Sequence, residues 1–276
     1  MSATPDLLET VHEAAAAVRS RTELVPRTAM VLGTGFGALV PTIEIEVAIP
    51  FTDLPGFPES TVGSPSGELV LGLLAGTPVI AMQSSFYRYQ EDTLQKATIP
   101  VRVLEHLGAQ TLIVSSTSSV LNTDWRTGDL VLLDDHINLL GDSPLIGPHV
   151  EELGPRFVDM SEPYDGELRA LAIRASNNLE LELRKGVYIA LPGAELRTLA
   201  ECRMLRDLGA DVMGSSIVPD VLVARQMDMR VLGMSIISDE CFSVSPRQAD
   251  MEDIPSLVRH VEQKLARLMI GIVEQL

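Results

Sequence analysis

A glycine-rich segment near the start of the chain carries residue types that can bind an anion. Gly33-Thr34-Gly35-Phe36-Gly37-Ala38 follows an apolar run and has the glycine spacing of a dinucleotide-binding turn. That motif continues into a long helix, whereas Pro41 and the alternating segment 43–47 predict a turn and then a strand. The spacing therefore argues against a nicotinamide site. Two interpretations stay open: the backbone N–H groups and the Thr34 hydroxyl bind an anion such as phosphate, or the segment is only a tight turn.

A run of hydroxyl side chains follows a later apolar segment. Ser115-Ser116-Thr117-Ser118-Ser119 is predicted to end a strand, where its hydroxyl groups either bind an anion or form a polar loop that caps the strand. The chain contains no G-x-S-x-G sequence, so a serine hydrolase triad has no predicted nucleophile.

Neither a metal site nor a disulfide framework is predicted. The five histidines are isolated and lack the spacing of a zinc motif, and His136 is interpreted as a hydrogen-bonded structural residue. Cys202 and Cys241 are too few and too far apart in sequence for a disulfide framework or a cysteine-rich zinc site. Their small number fits a reducing compartment.

The amino-acid composition limits the classes of molecule that the protein is expected to bind. The chain has 276 residues, of which 38 are acidic and 21 basic, and its formal net charge is −17. Nucleic-acid binding needs clustered Lys and Arg, so the charge argues against it as the main task. Hydrophobic residues make up 46% of the chain, which is enough for a buried core in a single domain over residues 1–276. With no predicted leader and no window apolar enough to span a membrane, we expect a soluble cytoplasmic protein without a membrane partner.

Short apolar runs alternate with helical patterns along most of the chain, which is typical of an α/β fold. Pro100 predicts a kink or a new start within the second helix, and residues 75–78 predict a tight turn between two strands. The proline-bearing segment 142–162 has no periodicity and is predicted to be a functional loop or an interface. The predicted strands are Ala29–Leu32, Leu69–Leu74, Val79–Gln83, Thr111–Ser115, Leu130–Leu133, Val187–Leu191, Val212–Gly214 and Val231–Ile237. The predicted helices are Asp6–Arg19, Leu94–Leu107, Tyr164–Asn177, Glu195–Leu208, Val218–Met227 and Glu252–Glu274.

Seven segments occur in the order and spacing of one protein family. They are VLGTGFGALV, FPESTVGSPSGELVLG, YQEDTLQKATIPVRVLEHLGAQTLIVSS, GDLVLLDDHINLLGDSPLIGP, MSEPYD, LAECRMLRDLGADVMGSSIVPDVLVAR and VLGMSIISD. Together they resemble the trimeric purine nucleoside phosphorylases, a family that includes the methylthioadenosine phosphorylases. The resemblance implies one α/β domain with a central mixed sheet flanked by helices, and a homotrimer whose active sites lie near the subunit boundaries.

The resemblance also implies a reaction. In this family phosphate attacks the anomeric carbon of a purine nucleoside, the N-glycosidic bond breaks through an oxocarbenium-like state, and negative charge grows on the departing base. Catalysis needs a phosphate cradle, a sugar site and groups aimed at the base. Phosphate is the co-substrate, and neither a cofactor nor a metal is implied.

Carried over residue by residue, the family's phosphate cradle is kept only in part. Its arginine falls on Ser85 and its histidine falls on Tyr87, so the strongest charge-assisted contacts to phosphate are lost. Such a loss costs on the order of a few kcal/mol, and Arg88 is close enough in sequence to be considered as a substitute. The predicted phosphate-binding positions are Thr34, Ser85, Tyr87, Thr117 and Ser216.

In the sugar and base sites, most of the family's residues are replaced. The family's base-pocket glutamate falls on Arg197 and its asparagine falls on Asp239, and aspartate at the second position also occurs in adenine-preferring relatives. The aromatic residue that the neighbouring subunit lends falls on Leu153. The other predicted sugar-binding and base-binding positions are Tyr89, which keeps the tyrosine beside the ribose, and Leu196, Ser215 and Met251.

Arg197 and Asp239 have two interpretations. In the first, they face each other in a partly buried ion pair that closes the base pocket. In the second, Arg197 donates hydrogen bonds to an unusual base or sugar. Glu195 is interpreted as an acidic residue in the first turn of the helix that begins there, or else as the displaced family carboxylate.

Two functions of different class follow. The first is a purine nucleoside phosphorylase with altered specificity, with Arg197 and Asp239 as its candidate catalytic residues. The alternative is a catalytically impaired homologue that acts as a ligand-binding or partner subunit. In both cases the expected ligands are a nucleoside or purine and phosphate, and ordinary inosine or guanosine cleavage at the family's usual efficiency is not expected.

Overall fold

One mixed sheet of nine strands organises the part of the chain that the structure describes. This computed structural model describes residues 7–33, 35–58, 67–83, 93–241 and 254–276, with residues 254–260 described by their backbone alone. The strands are β1 (Thr28–Leu32), β2 (Glu44–Pro50), β3 (Glu68–Leu74), β4 (Thr77–Met82), β5 (Thr111–Val120), β6 (Leu130–Asn138), β7 (Leu183–Ala190), β8 (Val212–Gly214) and β9 (Arg230–Glu240). Their order in the sheet is β2-β3-β4-β1-β5-β8-β7-β6-β9.

Five of these strands close into a ring. The last strand in the order, β9, pairs with β6 on one side and returns to pair with β5 on the other. Every strand of the ring β5-β8-β7-β6-β9 therefore has a neighbouring strand on both sides. This arrangement pairs backbone groups that an open edge would leave unpaired. The remaining strands, β2-β3-β4-β1, extend from β5 as an open sheet.

Helices cover both faces of the sheet. Strand β1 alternates between the two faces: Ala29 and Val31 pack in one core cluster, and Met30 packs in the other. The first cluster also takes buried side chains from α1, α3 and α6, and the second takes them from α4 and α7. The helices are α1 (Leu7–Arg19), α2 (Leu94–Ala97), α3 (Ile99–His106), α4 (Gly166–Asn178), α5 (Leu199–Asp207), α6 (Ile217–Gln226) and α7 (Ile254–Val273).

The predicted α/β fold with a central mixed sheet is confirmed, and the main differences lie at element ends. Pro100 stands in the first turn of α3 after a break at Thr98, as predicted. The helix predicted to begin at Glu195 begins instead at Leu199, because Thr198 forms a capping box with Glu201. Strand β5 continues through the hydroxyl run to Val120, since β9 pairs with it along that length.

One ion pair links the start of α4 to β9 and makes stability depend on pH. Asp165 caps α4 by accepting a hydrogen bond from the Leu168 N–H at 2.8 Å, and it also accepts two from the Arg230 guanidinium at 2.8 and 2.9 Å. The bonds from Arg230, followed by the helix-capping bond, lower the pKa of Asp165 in the folded state.

We expect this pair to stabilise the fold at neutral pH and to lose its effect in acid. The pKa of Asp165 is lower in the folded chain than in the unfolded chain. As pH falls from the unfolded pKa toward the folded pKa, the unfolded state therefore binds more protons, and the stabilisation is lost. Asp165→Asn should lower the free energy of unfolding by about 1 kcal/mol at pH 7, given partial solvent screening, and by less at pH 3. Denaturant titrations at both pH values test this, with Asp53→Asn, whose carboxylate is half exposed in its pair with Arg21, as the control. An equal loss at pH 3 and pH 7 would contradict it.

Candidate active site

The ends of four ring strands meet at one edge, and they carry several of the predicted site residues. In the register, Ser119 of β5 lies opposite both Met213 of β8 and Asp239 of β9. A register shift after Ser118 brings Asp239 to this position. Because β7 runs parallel to β8 and pairs Ala190 with Gly214, the chain that leaves β7 toward Arg197 starts from the same edge.

The hydroxyl run is part of strand β5 and does not form the predicted loop. Ser116 and Ser118 are buried between neighbouring strands, and the Ser118 and Ser235 hydroxyl groups are 2.7 Å apart. The alternate side chains, Thr117 and Ser119, are only partly buried. Ser115 donates to the Val31 carbonyl at 2.9 Å. The run is therefore largely structural, and Thr117 and Ser119 are its members with access to the edge.

The N-terminus of α6 supplies a second polar group at this edge. Gly214 ends β8, and Ser215 and Ser216 lead directly into the helix. Ser216 occupies the N-cap position but its side chain does not cap the helix, so its hydroxyl does not satisfy the first N–H groups of α6. The start of a helix with a nearby hydroxyl can hold an anion.

The structure does not pair Arg197 with Asp239 as the first interpretation predicted. The Arg197 guanidinium forms its ion pair with Glu195, and the Arg197 side chain is 10% exposed while that of Glu195 is 63% exposed. Asp239 instead accepts a hydrogen bond from Ser238 at 2.8 Å. The reason is the late start of α5, which leaves Glu195 and Arg197 close together in the preceding loop. Glu195 is therefore not in a first helical turn, and its pKa is lowered by a backbone hydrogen bond and by Arg197.

Two predicted positions are occupied by leucine and differ in exposure. Leu196 precedes Arg197 and is 60% exposed, so its side chain is free to contact a ligand. Leu153, predicted to reach a neighbouring subunit, is 7% exposed and packs within its own chain in a short 3-10 turn, Glu151–Leu153. Phe157, four residues later in the same proline-bearing loop, is 90% exposed.

Five predicted positions lie outside the described residues, and so does the possible substitute Arg88. They are Thr34, Ser85, Tyr87, Tyr89 and Met251. Their roles stay predictions. Among the described residues, the predicted positions that lie at this edge include Ser215 and Ser216 at the start of α6 and Asp239 at the end of β9.

The two cysteines are bonded to each other, which the sequence did not indicate. Cys202 in α5 and Cys241 after β9 form a disulfide with their Cα atoms 6.1 Å apart. The sequence argued only against a framework of several disulfides and a cysteine-rich zinc site. The single bridge forms because the closed ring brings the end of β9 to α5. Closure of the ring is a long-range event that no local pattern reports.

His136 is hydrogen-bonded, as predicted. Its Nδ1 lies 3.3 Å from the hydroxyl of the buried Tyr164, and burial lowers its pKa. Among the residues that the structure describes, no three His, Cys, Asp or Glu side chains come together as a metal-binding group. No helix in this part of the chain is long and apolar enough to cross a membrane.

Comparison with known proteins decides the family. The family model described as "Phosphorylase superfamily" matches residues 27–274. Purine nucleoside phosphorylase 1 of Bacillus subtilis is 40% identical over 265 residues, which cover 96% of this chain and 98% of that protein. The chain belongs to the purine nucleoside phosphorylase family.

Solved phosphorylase structures share the whole architecture. A Schistosoma purine nucleoside phosphorylase in complex with hypoxanthine is 32% identical, with a TM-score of 0.92 over 98% of each chain. The Schistosoma mansoni enzyme in complex with adenosine is also 32% identical, with a TM-score of 0.93 over 98% of each chain. The resemblance inferred from the seven sequence segments is thereby confirmed, and the ring of strands belongs to the phosphorylase fold.

Proposed function

We propose that this chain is a purine nucleoside phosphorylase that prefers a base with a 6-amino group. One observation carries the proposal: Ser216 at the start of α6 and Asp239 at the end of β9 reach the same edge of the ring, in a chain of this family. The first can receive phosphate and the second can receive the base. A nucleoside between them would have its glycosidic bond within reach of the phosphate.

The proposed reaction needs three events at this edge. A phosphate oxygen bonds to the anomeric carbon of the pentose as the bond from that carbon to the purine nitrogen breaks. The electron pair of the broken bond stays on the base, which then takes up a proton, and the products are free base and pentose 1-phosphate. The N–H groups of α6 and the Ser216 hydroxyl hold the phosphate in place.

The charge of Asp239 supports the preference for a 6-amino base. An ionised carboxylate only accepts hydrogen bonds, so it pairs with an amino group and repels the carbonyl oxygen of a 6-oxo purine. The Ser238 hydroxyl occupies one carboxylate oxygen and leaves the other for a ligand. Since Arg197 is engaged by Glu195, its charge does not neutralise Asp239. The Schistosoma mansoni relative is solved in complex with adenosine, a 6-amino nucleoside, and also in complex with inosine, a 6-oxo nucleoside.

The proposal extends to assembly and location. The state we propose is a homotrimer in the cytoplasm, with a purine nucleoside as substrate, phosphate as co-substrate and no cofactor. The proline-bearing loop 142–162 supports a subunit contact, because Ile146 is 61% and Phe157 is 90% exposed in a single chain. Light scattering combined with size-exclusion chromatography would measure the mass, and a monomer would contradict this part.

Release of free base from a nucleoside panel tests the activity. The panel contains adenosine, 5′-methylthioadenosine, inosine and guanosine, each with inorganic phosphate and then without it. We expect phosphate-dependent release that is fastest for the two 6-amino nucleosides. No release from any member by folded protein would favour the alternative of an impaired homologue that binds ligands without cleaving them.

Removal of the Ser216 hydroxyl should weaken phosphate binding selectively. Ser216→Ala is expected to raise the KM for phosphate about tenfold, because a hydrogen bond to a charged group contributes about 1.5–3 kcal/mol. The KM for the nucleoside should change by less than about threefold, which is the usual size of the effect of a substitution that removes no contact to that ligand. Initial rates at varied phosphate measure both, with Ser20→Ala as the control, since Ser20 only donates to the Ala17 carbonyl at the surface. Equal phosphate KM values in wild type and Ser216→Ala would contradict the assignment.

A further inference from the structure

The Cys202–Cys241 disulfide joins the two sides of the proposed base pocket. Cys202 lies in the first turn of α5, directly after the loop that carries Leu196 and Arg197. Cys241 follows β9 and is two residues beyond Asp239. The bridge therefore sets the spacing between the segment of Arg197 and the segment of Asp239.

Among the described residues, α5 makes few buried contacts that hold it in place. Of its nine residues only Cys202 and Leu205 are buried, and they pack in a small cluster that is separate from the two main cores. Leu199 and Met204 of α5 are 52% and 51% exposed. In the loop before α5, Arg197 forms its ion pair with Glu195 of the same loop, and no described residue of another element forms an ion pair with it. A helix with so few buried contacts opens at low cost in free energy.

The other end of the bridge is firmly fixed. The Cys241 N–H donates to the Val120 carbonyl at 3.2 Å and so extends the pairing of β5 with β9. The segment before it is also anchored, because the Ile237 N–H donates to the Asp129 carbonyl at 3.0 Å. The disulfide thus attaches a weakly packed helix to a rigid part of the ring.

We propose that this disulfide is a positioning cross-link for the base pocket, and that its oxidation state sets the affinity for the purine. The inference rests on the function proposed above. When the bridge is intact, α5 and the Arg197 loop are held against the Asp239 side and the pocket is preorganised. When it is reduced, binding of the base must first order α5 and its loop, and that ordering weakens the affinity. The start of α6 is not part of the bridged segments, so phosphate binding is unaffected.

The exposure of the two cysteines determines which thiol reacts first when the disulfide forms. Cys241 is partly exposed, whereas Cys202 is 5% exposed. With a small-molecule disulfide as the oxidant, the Cys241 thiolate attacks one sulfur, forms a mixed disulfide and releases one thiol. The Cys202 thiolate then attacks the sulfur of Cys241 and releases the second thiol. Two protein thiols are oxidised, and one small disulfide is reduced to two thiols, which become protonated.

The test compares oxidised and reduced wild-type protein with a Cys241→Ser variant. Oxidised glutathione and dithiothreitol set the two states, and mass spectrometry counts the free thiols. Titration calorimetry measures the Kd of adenine and, separately, of inorganic phosphate. Hydrogen exchange measures the protection of amides in residues 192–207.

We expect reduction to raise the adenine Kd about tenfold, which is the cost of ordering roughly two side chains, and to leave the phosphate Kd unchanged. Exchange in residues 192–207 should be faster in the reduced protein. Cys241→Ser, whose side chain is only partly buried, should resemble the reduced wild type and should not respond to dithiothreitol. These four results together would support the cross-link.

Three other outcomes would overturn the proposal or separate it from the proposed function. Unchanged exchange after reduction would show that the bridge does not position α5. Faster exchange with an unchanged adenine Kd would show that α5 does not shape the base pocket. If adenine binds in neither state, the proposed base specificity fails, and the exchange result alone decides whether the bridge positions α5.

Discussion

Replacing Asp239 with asparagine is expected to reverse the preference between 6-amino and 6-oxo purine nucleosides. The carboxylate can only accept hydrogen bonds when ionised, whereas the amide of asparagine can also donate one to a 6-oxo group. Each gained or lost bond of this kind changes the rate ratio by about 10- to 100-fold. The variant should therefore cleave inosine faster than wild type and adenosine more slowly.

The neighbouring residue Glu240 provides the matched control. Glu240→Gln removes the same charge one residue further along β9, but adjacent side chains of a strand point to opposite faces. Its ratio of kcat/KM values for adenosine and inosine should stay near that of wild type. If Asp239→Asn and Glu240→Gln shift this ratio equally, the effect is one of net charge and Asp239 does not contact the base.

The fold could be predicted from the sequence because local patterns and pairing agree over most of it. Val212–Gly214 was predicted with its observed bounds, and β3 and β4 form the predicted hairpin, although β4 begins at Thr77 and the turn is shorter than predicted. Predicted element bounds were wrong where two local signals compete, or where pairing with a distant strand determines the local structure. Pro192-Gly193 suggested a helix from Glu195, but the Thr198 capping box further on satisfies the first N–H groups of α5.

The site was less predictable than the fold, since it depends on strand register. Residues 115–119 have the composition of a loop, and only pairing with β9 keeps them in β5. The meeting of Ser119 with Asp239 requires a register shift after Ser118 that leaves no mark on the sequence. Sequence alone likewise could not show that Arg197 pairs with Glu195, because both interpretations of Arg197 placed it in the helix.

Gly214 is the position where one methyl group should damage both the fold and the proposed phosphate site. A Cβ atom there would lie 2.2 Å from the Tyr188 hydroxyl oxygen and 2.9 Å from the adjacent ring carbon. Tyr188 is fully buried within the ring, so it has no free space into which to move. The strain must therefore be relieved by the backbone of residue 214, which leads directly into Ser215 and Ser216.

Gly214→Ala is accordingly expected to lower the free energy of unfolding by about 1–3 kcal/mol and to raise the KM for phosphate. Urea titration measures the first effect and initial rates measure the second. Gly271→Ala in α7 is the matched control: its Cβ would meet only the Ala175 Cβ at 3.9 Å, so it should stabilise the helix by about 0.4–1 kcal/mol. Adding Tyr188→Phe to Gly214→Ala removes the closest contact and should restore part of both losses. Wild-type stability in Gly214→Ala would mean that the backbone shifts freely here, and that the start of α6 is not held where phosphate binding requires it.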